Sequence, residues 1–73
     1  SLLSYNYILN VKYKEGQTVN YRVGDMHGRG EVVSIKQEMV GGTMQNVYLV
    51  SEGNGGQNMK YVPENEILTL LNG

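Results

Sequence analysis

One histidine, His27, stands in the run His27-Gly28-Arg29-Gly30, where two glycines flank an arginine. An imidazole that titrates near neutral pH is the commonest general base. A guanidinium held out between glycines is a fork for phosphate or carboxylate. Neither chemistry is completed by the rest of the chain. A zinc centre takes three or four protein ligands, and His27 has no second histidine and no cysteine to join it. The glycines lack the Gly-x-Gly-x-x-Gly spacing and no helix follows them, so no nucleotide cradle is expected. Glu31, Glu38, Glu52, Glu64 and Glu66 could pair as acid and base, but such work needs two carboxyls at a fixed separation in a cleft. A chain of 73 residues leaves little room for one. These side chains read as a turn histidine, a solvated arginine and surface carboxylates. The sequence predicts no catalytic residue, no metal ligand and no cofactor, and hence a protein that is not an enzyme.

The tyrosines carry more information. There are six, with no Phe and no Trp. Tyr21, Tyr48 and Tyr61 fall on three different predicted strands, where converging rings would form a cage for a methylated cation or a stacking platform for bases. The same rings must also supply the core, because no other aromatic residue is available. Tyr21, Arg22, His27, Arg29, Tyr48 and Tyr61 are therefore the candidate partner-binding residues.

The elements that must position them are strands. Ten glycines, one proline and no alanine give poor helix propensity and many turns. Residues 5–13 alternate, with Tyr5, Tyr7, Leu9, Val11 and Tyr13 on one face, and predict an N-terminal strand. Residues 14–17 turn, and 18–23 alternate again with Val19, Tyr21 and Val23 inward, so the two segments are expected to form a hairpin. Gly24-Asp25 is a turn or a bulge. Gly28-Arg29-Gly30 is a tight turn with positive φ or close backbone approach, launching a strand over 31–40 in which Val33, Ile35 and Met39 share a face. Gly41-Gly42 is a two-residue hairpin turn, and 43–52 returns as the most buried strand around Val47-Tyr48-Leu49-Val50. A glycine-rich loop over 53–57 leads to a short strand, 58–62, stopped by Pro63. A single 3₁₀ turn near 63–66 precedes a last strand or short helical turn at 67–71. The whole is one all-β domain over residues 1–73: a small SH3-like, Tudor-like barrel of five to six short strands, with 5–13 as an extra one.

Such a chain buries only about 60% of its unfolded surface. Without cysteine it has no disulfide to reinforce it. A closed core, a homo-oligomer or a partner must do so, and the surplus N-terminal strand is the segment suited to cap an edge or swap. The net charge of −1 with scattered signs lacks the basic excess of a dedicated nucleic-acid binder. No apolar run is long enough for a membrane span and no signal peptide opens the chain, so a cytoplasmic location is expected.

The run Gly16-x-x-Val19-x-Tyr21, then His27-Gly28-x-Gly30-x-Val32-Val33-x-Ile35, resembles the RNA-polymerase-interacting domain of the CarD family, which the transcription-repair coupling factor shares. Gly41-Gly42, Tyr48-Leu49-Val50 and Tyr61-Val62-Pro63 continue the likeness, which spans residues 16–68. Arg22 to Met26 depart from it, because the family carries a Tyr-Pro step there. The resemblance implies docking on the RNA polymerase β-subunit through a sheet edge. Two other readings stand beside it. One is a nucleic-acid-binding Tudor-like or KOW-like barrel using Lys12, Lys14, Arg22, Arg29, Lys36 and Lys60. The other is a small assembly protein of a phage or mobile element.

Overall fold

The computed structural model describes residues 10–53 and 58–71. They form one antiparallel sheet of five strands: β1 (Thr18–Val23), β2 (Met26–Val40), β3 (Thr43–Glu52), β4 (Asn58–Pro63) and β5 (Ile67–Leu70), with a 3₁₀ turn at Glu64–Glu66 before β5. The spatial order is β4-β3-β2-β1-β5. The first four strands run as a meander, and the 3₁₀ turn carries the chain across so that β5 pairs with β1. The all-β class, the strand count and the 3₁₀ turn follow the sequence. Closure does not: β4 and β5 are the two ends of an open sheet and share no ladder.

β2 is the long element. Met26 to Glu31 pairs with β1, and Glu31 to Val40 pairs with β3. Gly28 and Gly30 lie inside this strand with extended backbone, so the expected tight turn at His27–Gly30 is absent. The turn sits earlier, at Gly24-Asp25, where Gly24 alone takes positive φ (62°), the II′ pattern. What the two glycines supply is close approach. A Cβ on Gly28 would lie 2.3 Å from the Tyr21 ring and hydroxyl, and one on Gly30 would lie 2.5 Å from the Ser51 carbonyl oxygen. At the other hairpin Gly41 and Gly42 both have positive φ (57° and 84°), the type I′ geometry.

Alternation in β2 is broken by a bulge. Val32 opposes Val50 and Ser34 opposes Leu49, which leaves Val33 as the extra residue. Val32 therefore joins Ile35 on the core face, where strict period two would have placed Val33. The core consists of Val19, Tyr21, Val32, Tyr48, Val50, Val62 and Ile67, flanked by Val11, Tyr13, Val23 and Ile35.

The N-terminal strand expected over 5–13 lies mostly outside the described residues. Its described part, Asn10 to Tyr13, is a turn and two bends rather than a strand. Hairpin pairing with β1 is also closed off, because both edges of β1 are taken, by β2 and β5. Val11 and Tyr13 nonetheless pack on the core, with the Tyr13 ring edge-on to Tyr48 at 5.4 Å.

Candidate interaction surface

The tightest polar constellation gathers where the 3₁₀ turn meets β3. Pro63 has fixed φ and begins the turn, bringing Glu64 against Tyr48 and Asn46. Glu64 Oε2 accepts hydrogen bonds from the Tyr48 hydroxyl, from Asn46 Nδ2 at 3.0 Å and from the Lys12 backbone N–H at 3.3 Å. The Tyr48 oxygen in turn accepts from the backbone N–H groups of Lys12 (3.2 Å) and Tyr13 (3.3 Å). Gln37 Nε2 donates to Asn46 Oδ1. Burial pushes the Glu64 carboxyl up, but the hydrogen bonds from Tyr48, Asn46 and Lys12 outweigh it and hold the group below its ordinary value. Burial, and then the carboxylate beside it, push the Tyr48 hydroxyl far above its ordinary value, so this phenol stays protonated and donates.

This cluster borders an open cleft of about 350 Å³ lined by Lys12, Gln37, Asn46 and Glu64 among others. Its chemistry is that of a fastening. Every donor aimed at Glu64 comes from the chain itself, and the outcome is that residues 10–13, β3 and the 3₁₀ turn are tied together. In the sequence Glu64 looks like a solvated carboxylate; in the fold it is the acceptor at the centre of this cluster. The signal that could have found it is its place directly after the lone proline, where the chain must cross over the end of the core.

The candidate binding residues separate into three groups. Tyr21 and Tyr48 are 1% and 0% exposed. Both point into the core, so they cannot form a cage or a stacking platform with Tyr61. The physical reason is the one composition supplies: with no Phe or Trp, tyrosine is the only large ring available to fill the interior. The Tyr21 hydroxyl has no hydrogen-bond partner among the described residues. Tyr61 is 54% exposed, but its ring face is covered by Lys36 Nζ, 4.0 Å from the centroid. Lys36 is held there by Glu38 at 2.8 Å, whose hydrogen bond raises the ammonium pKa. A cation from within the chain thus occupies the one exposed ring of the three.

Arg22, His27 and Arg29 are brought together. Arg22 opposes His27 across the β1–β2 ladder, and Arg29, two residues along from His27, opposes Asn20. All three are exposed on the outer face of the hairpin. Each arginine is anchored through Nε, Arg22 to the Gly24 carbonyl at 3.0 Å and Arg29 to Asn20 Oδ1 at 3.1 Å. Arg22 also faces Asp25 at 3.9 Å, an exposed contact of little energetic consequence. Among the described residues no group of three or more His, Asp or Glu side chains gathers as a metal site would require.

The two sheet edges differ. β4 carries Lys60 and ends on Pro63, two devices that discourage a further strand. β5, with the sequence Ile-Leu-Thr-Leu, carries neither. Among the described residues its single neighbour is β1, and Leu68, Leu70 and the following Leu71 are 52%, 43% and 45% exposed. The sequence reading missed this row. Its signal was the run Ile67 to Leu71, four of its five residues apolar, in which only Ile67 finds a place in the core.

Comparison with protein-family models, with curated proteins and with solved structures finds no match. No helix among the described residues is long and apolar enough to cross a membrane.

Proposed function

We propose that the chain is a non-enzymatic protein-interaction module that takes up an extended segment of a partner as a further strand on β5. The observation that carries this reading is the β5 edge, which has no Lys or Pro although it is short and shifts register at Leu68: a row of main-chain donors and acceptors flanked by three exposed leucines, in a sheet that does not close. Addition of a strand to such an edge draws affinity from main-chain hydrogen bonds and specificity from alternate side chains. The resemblance to the CarD-type domain names the partner as the RNA polymerase β-subunit, which places the module in the cytoplasm. The nucleic-acid reading gains the shared face of Arg22, His27 and Arg29 but loses its stacking platform, because Tyr21 and Tyr48 are interior. The assembly-protein reading calls for a closed ring in light scattering.

The test is binding of the purified β-subunit to the protein and to its Leu68→Lys and Leu70→Lys variants, with circular dichroism as the check on folding. A lysine at an exposed edge position leaves the core untouched and opposes strand addition. Binding that both variants lose supports the proposal. Clean absence of binding removes RNA polymerase as the partner, and binding that both variants keep removes the β5 edge.

A further inference from the structure

A chain of hydrogen bonds runs across three strands of the outer face and ends at the β5 edge. Arg29 Nε donates to Asn20 Oδ1 at 3.1 Å, and Asn20 Nδ2 donates to Thr69 Oγ1 at 2.9 Å. The direction is fixed by chemistry, since a guanidinium has donors only and the carboxamide must turn its oxygen toward it. The three residues lie in one row of the sheet, Arg29 opposite Asn20 and Asn20 opposite Thr69. Every bond thus points from the cation toward the edge. The Thr69 oxygen accepts this one bond, and its own proton has no acceptor among the described residues. Bonds aligned head to tail polarise one another, so the row delivers part of the arginine's positive character to an exposed hydroxyl proton at the sheet margin. The next row adds Arg22 and His27 on the same face. Asp25 faces Arg22 at 3.9 Å from the adjoining turn, and Glu31 stands on the other side of the row, opposite Thr18.

Resting on the strand-addition reading above, we infer that the partner segment places an acidic side chain, Asp or Glu, opposite Thr69, with apolar side chains in the flanking positions. The carboxylate accepts the Thr69 proton and lies on the side of the face that carries Arg22, His27 and Arg29. The flanking apolar positions meet Leu68 and Leu70, the latter opposite Val19 on the core side. The occupant is another protein rather than this chain. Residues 1–9, Ser-Leu-Leu-Ser-Tyr-Asn-Tyr-Ile-Leu, hold no acidic residue, and neither do β4 and β5, the edge strands of a second copy.

The experiment uses three blocked extended peptides of alternating valine and threonine, N-methylated along one edge against self-stacking and differing only in a central Glu, Gln or Lys. Binding is read from amide shifts of the labelled protein. The Glu peptide is expected to bind about 10-fold more tightly than the Lys peptide, with Gln between, the scale of one exposed charge-assisted hydrogen bond. Thr69→Val and Arg29→Gln are each expected to cut that preference below about 2-fold while leaving the Gln peptide's affinity unchanged. Equal binding of the Glu and Lys peptides at β5 overturns the acidic requirement and leaves strand addition standing. Failure of all three to perturb β5 overturns both.

Discussion

Glu64 offers a quantitative test of how the molecule is held together. Its Oε2 receives the Tyr48 hydroxyl, Asn46 Nδ2 and the Lys12 N–H. Glu64→Ala takes away all three contacts. Lys12 N keeps the Tyr48 oxygen as an acceptor and Asn46 Nδ2 keeps the Asn10 carbonyl at 3.4 Å, so one buried donor is left, the Tyr48 hydroxyl. A stranded buried donor costs about 1–3 kcal/mol. The bordering cleft admits water, which takes the cost to the low end, about 1–2 kcal/mol. A domain of this size has a total stability of roughly 4–11 kcal/mol. With a urea slope of about 1 kcal/mol per molar for so small a chain, the unfolding midpoint falls by about 1–2 M. Glu64→Gln keeps the shape and loses the charge, at about 1–2 kcal/mol. The hydrogen bonds hold the Glu64 carboxyl below its ordinary 4.5, so folding favours the ionised form. That stability is fully present above the ordinary value and is lost as pH falls through the lower folded-state value. The gap between the native protein and Glu64→Gln is therefore flat near neutral pH and narrows on acidification below about 4.5. Urea melts followed by circular dichroism read both effects. A midpoint shift under about 0.5 M for Glu64→Ala, or a gap that widens in acid, would refute the fastening role.

Further outcomes follow from the same packing. Tyr21→Phe and Tyr48→Phe remove the same atom from two equally buried rings, yet thermal melts should separate them. Tyr21→Phe deletes a hydroxyl with no partner among the described residues and is neutral or stabilising by up to about 1 kcal/mol, whereas Tyr48→Phe takes one donor from Glu64, leaves the Tyr13 N–H without its acceptor and costs about 2 kcal/mol. Equal effects would contradict the hydrogen-bond assignment. Gly30→Ala sets a methyl 2.5 Å from the Ser51 carbonyl and 2.6 Å from Val50 Cγ1, which forces β2 and β3 apart. A loss of about 3 kcal/mol or more is expected in a urea melt, and a near-neutral result would mean that the strands approach less closely.

Much of the fold was legible because turns and periodicity are local. Gly41-Gly42 dictates a hairpin by its φ angles alone, and 43–52 and 58–63 alternate or stay apolar in ways only a strand explains. The misreadings arose where a distant neighbour decides. Gly28 and Gly30 look like turn glycines in isolation; their need is set by Tyr21 and Ser51, which lie opposite in space. The bulge at Val33 shifts the inward face by one residue, which period two cannot foresee. The tyrosines could not be sorted into core and surface by type, because the composition makes one residue serve both. Of the candidate site, Arg22, His27 and Arg29 were legible as exposed residues, but their common face follows from the β1–β2 register, which replaces the turn expected at Gly28-Arg29-Gly30. Glu64 and the β5 leucines were not recognised, since the first depends on a crossover and the second on which strand is left at the margin.

The central claim is that β5 is the receiving edge. Its most direct test is amide hydrogen exchange of the isotope-labelled protein with and without the glutamate-bearing peptide. The account predicts that added protection and shifts gather on Leu68 to Leu71 and pass along the row through Asn20 to Arg29, leaving β4 unchanged. Protection confined to β4, or to the Lys36–Tyr61 face with β5 exchanging as before, would contradict it.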